Sequence, residues 1–261
     1  MSKSFKILGG IILFTLCQIS LAATLDPCQG SILSIFRRPT NMSSACTTPQ
    51  GKYTFETGLS YLEFNNETHG LMYPQSKVRV GLPGRNELTI VIPNEMTNTK
   101  AVSGLTSSQL TFKHNVYYNE NWNTALRAIF IPASGSQIYG TAHNGYTLNG
   151  ILAYRAGTFN ASVMLGYSSY STSAASGGKR YNTLSPDVVI GWQAKEWLQL
   201  YAETFGQLKT APNSGPGYNF DTGLLFLLSR NMQVDMEVGH RLSGQLGNYS
   251  VYYGAGFGVM F

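Results

Sequence analysis

From residue 52 to the end of the chain, apolar and polar positions alternate with period two in one segment after another. Side chains on a strand point alternately to its two faces, so the pattern predicts strands that each carry one apolar face. Segment 52–63 places Tyr53, Phe55, Thr57, Leu59 and Tyr61 on that face. Segments 77–82 and 86–93 place Val78, Val80, Leu82 and then Leu88, Ile90, Ile92 there. Segments 108–118 and 122–131 present Leu110, Phe112, His114, Val116 and then Leu126, Ala128, Phe130. Segments 146–155, 159–168 and 184–193 continue the series with Leu148, Val163 and Ile190 as central members. Segment 197–205 is ambiguous, because Trp197, Tyr201 and Phe205 compete with Leu198, Leu200 and Ala202; the leucine phase is adopted, which sends Glu203 to the opposite face. Segments 220–228, 232–242 and 250–261 complete a count of twelve strands.

The final segment shows which way the faces look. Val251, Tyr253, Ala255, Phe257, Val259 and Phe261 share one face, while Tyr252, Gly254, Gly256, Gly258 and Met260 share the other. A soluble sandwich would put polar groups on its exposed side. An apolar face ending on a terminal Phe suits the closing strand of an outer-membrane β-barrel, with lipid outside and the glycine face toward the lumen. Phe261 also has the character of an assembly signal read by the barrel-insertion machinery. A soluble edge strand is the alternative for this segment alone.

The connections give a second test. Links at 83–86, 118–121, 155–157, 194–196 and 229–231 are short and turn-rich, and between them lie longer links at 64–75, 94–107, 132–145, 168–183 and 206–217. Such alternation predicts tight periplasmic turns and longer external loops. An even strand number puts both termini on the periplasmic side. Residues 168–179, rich in Ser and Gly, read as a flexible external loop. The expected fold is therefore all-β: a transmembrane antiparallel barrel of twelve strands over 51–261.

Charge follows the same division. On the assigned strands every Lys, Arg, Asp and Glu is expected on the face opposite the apolar one, whereas His114 and His240 face outward. A cation on the lipid face near the midplane would cost roughly 2–4 kcal/mol. Strand direction then sets rough heights. Arg79, Lys113 and Arg127 fall near mid-height on strands two, four and five, and Asp187, Glu203, Asp221, Asp235 and Glu237 fall on strands eight to eleven. The expectation is a basic wall facing an acidic wall, with Arg127 and Glu237 at the constriction. Either the walls meet as salt bridges, or water between them is ordered by a transverse field.

The amino end fits the same compartment. Lys3 and Lys6 precede an apolar run, and Ser20-Leu21-Ala22 offers small residues for signal peptidase, so 1–23 reads as a secretory leader. Its removal takes Cys17 away and leaves sixteen basic against thirteen acidic residues. Residues 24–50 would form a periplasmic segment. Within it Cys28 and Cys46 enclose seventeen residues, and in an oxidising compartment a disulfide is expected, two free thiols being the alternative. Charged residues make up 12% of the chain, well below the usual quarter, which agrees with a membrane barrel. No basic run interleaves with stacking aromatics, so no nucleic-acid partner is expected. No His or Cys pair sits at ligand spacing, and neither metal nor cofactor is expected.

Four stretches carry a resemblance: RPTNMSSACTTPQGKYTFETGLSYLEF at 38–64, VRVGLPGRNELTIVIP at 78–93, WLQLYAETFGQL at 197–208 and NFDTGLLFLLSRNMQVDMEVGHRLSG at 219–244. They resemble the outer-membrane transporter family of the meta-pathway of phenol degradation. The resemblance implies a barrel that passes small, often hydrophobic or aromatic molecules; it transfers no site residues.

Three functions compete at this level. A channel or transporter comes first, since twelve strands fall between a barrel filled by its side chains and one with a water channel. A surface or adhesin-like barrel would use the 168–183 loop. An outer-membrane phospholipase or esterase would need a Ser beside an outward His, and Ser243 leaves the face of His240. The expected partners are the lipid bilayer, the insertion machinery and a small-molecule solute; no enzymatic activity is expected.

Overall fold

The computed structural model describes residues 28, 33, 35–36, 38–64, 68–99 and 102–261. The expected leader 1–23 lies outside these residues. The strands are β1 (Tyr53–Phe64), β2 (His69–Tyr73), β3 (Lys77–Leu82), β4 (Asn86–Val91), β5 (Glu95–Asn98), β6 (Ser103–Leu105), β7 (Gln109–Tyr118) and β8 (Trp122–Ile131). They continue as β9 (Gly145–Ala156), β10 (Phe159–Ser171), β11 (Arg180–Lys195), β12 (Leu198–Gln207), β13 (Gly217–Ser229), β14 (Met232–Ser243) and β15 (Tyr249–Met260). Neighbours pair antiparallel, and β15 returns to pair with β1, closing the sheet on itself.

Fifteen segments make twelve staves. β2 and β3 both pair with β1 and form the second stave together; β4 with β5 and β6 with β7 form the third and fourth. Pro74 and Pro93 lie at the first two interruptions, where the missing N–H breaks the ladder. The alternation predicts loops at 64–75 and 94–107. In the structure both resume pairing beyond the proline, because the adjoining staves already present an edge.

A second correction concerns 168–179. Ser169–Ser171 pair with Arg180–Asn182, so the hairpin continues three residue pairs past the expected end of the strands. Tyr170 and Tyr181 meet across it with ring centroids 5.9 Å apart, the kind of cross-strand contact that holds a polar hairpin in register. Only a tight turn remains, with a short 3-10 helix at Ala174–Ser176 and left-handed Gly177 and Gly178.

The outward faces are those the alternation predicts. Leu148, Leu165 and Ile190 are each more than half exposed, at 58%, 56% and 57%. In β12 the leucine phase holds: Tyr201, Glu203 and Phe205 are buried inside. Rings pair across strands in two belts. Trp122–Tyr154, Phe159–Trp192, Trp197–Phe226 and Phe55–Phe257 lie toward the short turns; Phe130–Tyr146 and Tyr61–Tyr253 lie toward the long loops. Aromatic girdles of this kind mark the two interfaces of a membrane barrel. Glu63 is an exception to the charge rule: it shares the parity of Tyr61, at the loop end of β1 beside a register irregularity. Among the described residues no helix is long and apolar enough to cross a membrane; the strands are the spanning elements.

Closure is completed by the last residue. Phe261 N–H donates to Tyr53 O at 2.8 Å, and Tyr53 N–H donates to Phe261 O at 3.2 Å. Its side chain is 65% exposed on the outer face.

Candidate functional site

The interior is polar. Glu56, Arg79, Glu87, Lys113, Glu203 and Asp221 are all at most 1% exposed. So many buried charges require partners, since an isolated ion in low dielectric is too costly to keep. The partners come from two sources: the strands themselves and a strap formed by the described residues up to Thr48, which precedes β1.

The segment before β1, expected to be periplasmic, runs inside the barrel in its described part. Having no strand of its own, it must satisfy its backbone on wall side chains. Ile35 O accepts from Arg79 Nη1 at 2.6 Å, and Arg38 N–H donates to Glu56 at 3.0 Å. Asn41 N–H and Met42 N–H donate to the two oxygens of Glu203, and Asn41 Nδ2 donates to Asp187 at 2.9 Å. Ser44 O and Cys46 O accept from Lys113 Nζ, and Ala45 O from Asn115 Nδ2. Thr48 gives both its N–H and its hydroxyl to Glu87. Apolar strap residues find two patches: Met42 and Ala45 pack with Ala125, Ile151, Met164 and Val189, and Leu33 packs with Tyr201 and Leu225.

Arg38 is the strap's reach across the lumen. Its Nη2 lies 3.2 Å from Asp235 Oδ1, and its Nη1 donates to Gln75. The glycines of β15 make room for it. A Cβ at Gly256 or Gly58 would strike the Arg38 guanidinium, and one at Gly258 would come within 2.6 Å of the Phe36 ring. The bare face of the closing strand therefore seats the strap instead of leaving open pore. Cys28 and Cys46 are bonded, and Asn123 Nδ2 donates toward both sulfurs at 2.9 and 3.4 Å.

All eight sequence-predicted lumen charges have inward parity, and five of them hold the strap: Arg79, Lys113, Asp187, Glu203 and Asp235. Asp221 instead accepts from Tyr252 Oη, and Glu237 packs against Gly254. Arg127 lies beside Asn149, whose carboxamide, turned oxygen-inward, accepts from Arg127 Nε at 3.0 Å. Glu237 borders one cavity and Arg127 a neighbouring one, and the two share Asn41, Phe205 and Tyr249 in their walls.

The expected opposition of a basic and an acidic wall also needs correction. Arg79 bonds to Glu56 at 2.8 Å and Glu87 at 2.7 Å, Lys77 pairs with Glu56 at 3.0 Å, and Lys113 with Glu87 at 3.3 Å. Arg79 and Lys113 are thus ion-paired with carboxylates on their own side of the barrel, and the basic wall is not left to face the acidic one. Glu56, Glu87 and Lys77 have the same inward parity, which the alternation alone gives. Arg38 carried no periodic signal, because the strap has no period.

Two cavities flank the strap, and Arg38 and Thr40 border both. The one toward the short turns, about 110 Å³, is lined by Leu33, Phe36, Met42, Val189, Tyr201 and Leu225, with Asn121, Arg155 and Gln199 at its mouth. The other, about 310 Å³, reaches toward the loops past Gln75, Lys77, Glu237 and Tyr252. On the outer face, His114 Nδ1 lies 2.9 Å from Asn86 Oδ1, and His240 has Phe220 and Val251 as its cross-strand neighbours. No serine stands across from either ring or two residues along its strand.

Among solved structures the barrel is similar to an outer membrane channel from Pseudomonas putida F1, at 12% identity and a TM-score of 0.64, covering 85% of this chain and 100% of that one. It is also similar to the KdgM porin (12% identity, TM-score 0.54, 80% and 99% covered) and to the NanC porin (11%, 0.55, 79% and 98%). At such identities the likeness establishes the fold. No curated protein sequence matches the chain. Residues 36–259, nearly all of the barrel together with the strap from Phe36 onward, match the family described as "Putative MetA-pathway of phenol degradation", and the chain belongs to that family.

Proposed function

We propose that this protein is an outer-membrane channel for small, largely hydrophobic or aromatic molecules, gated by its own strap. The observation that carries the reading is the pair of cavities separated by residues 38–42. A lumen packed solid by wall side chains would leave neither. The separating element is a short segment held mainly by hydrogen bonds and one ion pair, which can let go without breaking any strand pairing. The apolar lining of the smaller cavity supports a solute with little charge on the part that sits there. Both chain ends of the barrel lie at the short-turn end, which we take as periplasmic; there the Cys28–Cys46 bond would form in an oxidising compartment.

The test is reconstitution of the mature chain in planar bilayers, alongside a variant lacking residues 24–47. Rare, small openings in the mature chain and a large, steady conductance in the truncated one are expected. Silence from both, in preparations shown to be folded by heat-modifiable migration, would leave a sealed structural barrel as the function.

A further inference from the structure

On β14, two residues nearer the loops than Asp235, Glu237 stands in the wall of the cavity of about 310 Å³ on the loop side of the strap. Asp235 is taken by Arg38. Among the described residues, by contrast, none donates a hydrogen bond to the Glu237 carboxyl group or forms an ion pair with it. Its oxygens are not sealed in; they keep surface on the cavity, where a solute can touch them. Asp235 on the same strand and Asp221, diagonally across on β13, are its acidic neighbours. Like charges side by side repel, so a cation placed on Glu237 is favoured by the whole group. Arg38 and Lys77 border the same cavity, and both are already engaged, Arg38 on Asp235 and Gln75 and Lys77 on Glu56.

The rest of the wall can hold an apolar body. Tyr249 and Tyr252 meet edge to face with ring centroids 5.1 Å apart, and Phe205 joins them in the lining. Tyr252 gives its hydroxyl to Asp221, and Tyr249 Oη accepts from Asn219 Nδ2 at 3.0 Å, so the rings are what these residues offer. A carboxylate beside aromatic rings is the setting that recognises an ammonium group. An ammonium donates to a carboxylate, and a free amine takes the proton of a carboxylic acid; both end in the same ion pair. The cavity also has an approach from outside. It shares Asn41, Phe205 and Tyr249 with a neighbouring cavity that extends to Leu246 and Gly247 in the loop between β14 and β15.

We propose that this cavity is a binding site for small organic amines that carry an aromatic or branched apolar body. The ammonium lies on Glu237, and the body lies against Tyr249 and Phe205. The site deepens the channel reading, on which its role as a station on the loop side of the strap rests. It narrows the solute class from hydrophobic molecules at large to those that carry one amine.

Binding is measured by calorimetry on the mature chain in lipid nanodiscs, with benzylamine as the probe, benzyl alcohol as its uncharged counterpart and empty nanodiscs as the blank. Saturable benzylamine binding, at least about tenfold weaker in Glu237→Gln, is expected, since the amide keeps the shape but cannot complete the ion pair. Glu237→Asp, which keeps the acid on a shorter arm, should retain part of the affinity. Benzyl alcohol should bind weakly and equally to all three. Absence of saturable benzylamine binding to the wild type, or equal affinity in wild type and folded Glu237→Gln, would overturn the proposal. Benzyl alcohol binding as tightly as benzylamine would overturn it too. Nanodisc binding needs no conduction. A chain that binds benzylamine through Glu237 but never conducts in bilayers would refute the channel and leave the site standing; one that conducts but binds no benzylamine would do the reverse.

Discussion

Glu203 holds the strap by its main chain: one carboxylate oxygen takes the N–H of Met42 at 2.7 Å and the other the N–H of Asn41 at 2.8 Å. Both bonds are buried, Glu203 being 1% exposed. A hydrogen bond of this kind contributes about 0.5–1.5 kcal/mol net. Glu203→Ala should therefore leave the barrel folded and free the middle of the strap. In single-channel recordings the open fraction should rise several-fold over wild type; an unchanged open fraction would mean that the strap is held elsewhere.

Arg79 should be a stability residue. It bridges Glu56 and Glu87 and also donates to Ile35 O, with no exposure of its own. Removing one member of a buried ion cluster leaves uncompensated charge, at a cost of roughly 3–5 kcal/mol. Arg79→Met should lower the unfolding free energy of the reconstituted barrel by that order, read from its denaturant midpoint and slope. Adding Glu56→Gln and Glu87→Gln to it should recover much of the loss. Failure of the triple variant to recover would show that packing around the guanidinium, and not its charge, was lost.

The disulfide should act on the strap and not on the barrel. It closes a loop with a sequence separation of 18, which in the chain-entropy account corresponds to about 3 kcal/mol. The mature protein should show no free thiol under non-reducing mass spectrometry. Reduction, or the Cys28→Ser and Cys46→Ser pair, should leave heat-modifiable migration intact while increasing protease cleavage before residue 48. Loss of the folded barrel on reduction would contradict this division.

Phe261 should matter for assembly more than for conduction. Its backbone closes the seam with Tyr53 while its ring projects outward, touching no lumen group. Deleting it should lower the yield of heat-modifiable barrel in the outer membrane and leave the conductance of the inserted fraction unchanged. Normal yield from the truncated chain would rule out a role for this residue in insertion.

The sequence alone determined the twelve staves, the outward faces and the inward parity of the charges. Each depends on a local rule: side chains alternate along a strand, and lipid penalises a charge on one of the two faces. That is why the ambiguous phase of β12 could be settled by Leu198, Leu200 and Ala202 before any neighbour was known. Staves beyond Pro74 and Pro93, and the paired ends of 168–183, were not legible, because weakly patterned residues paired there on edges supplied by strands distant in sequence. The tertiary structure alone decided what the lumen charges do. Glu203 and Asp187 looked like one side of a field across water, yet they meet Asn41 and Met42, more than a hundred residues earlier. The strap has no repeating pattern, so nothing local marks it as an interior element. Its position is set by closure of the ring, which brings Gly58, Gly256 and Gly258 together as the seat for Phe36 and Arg38.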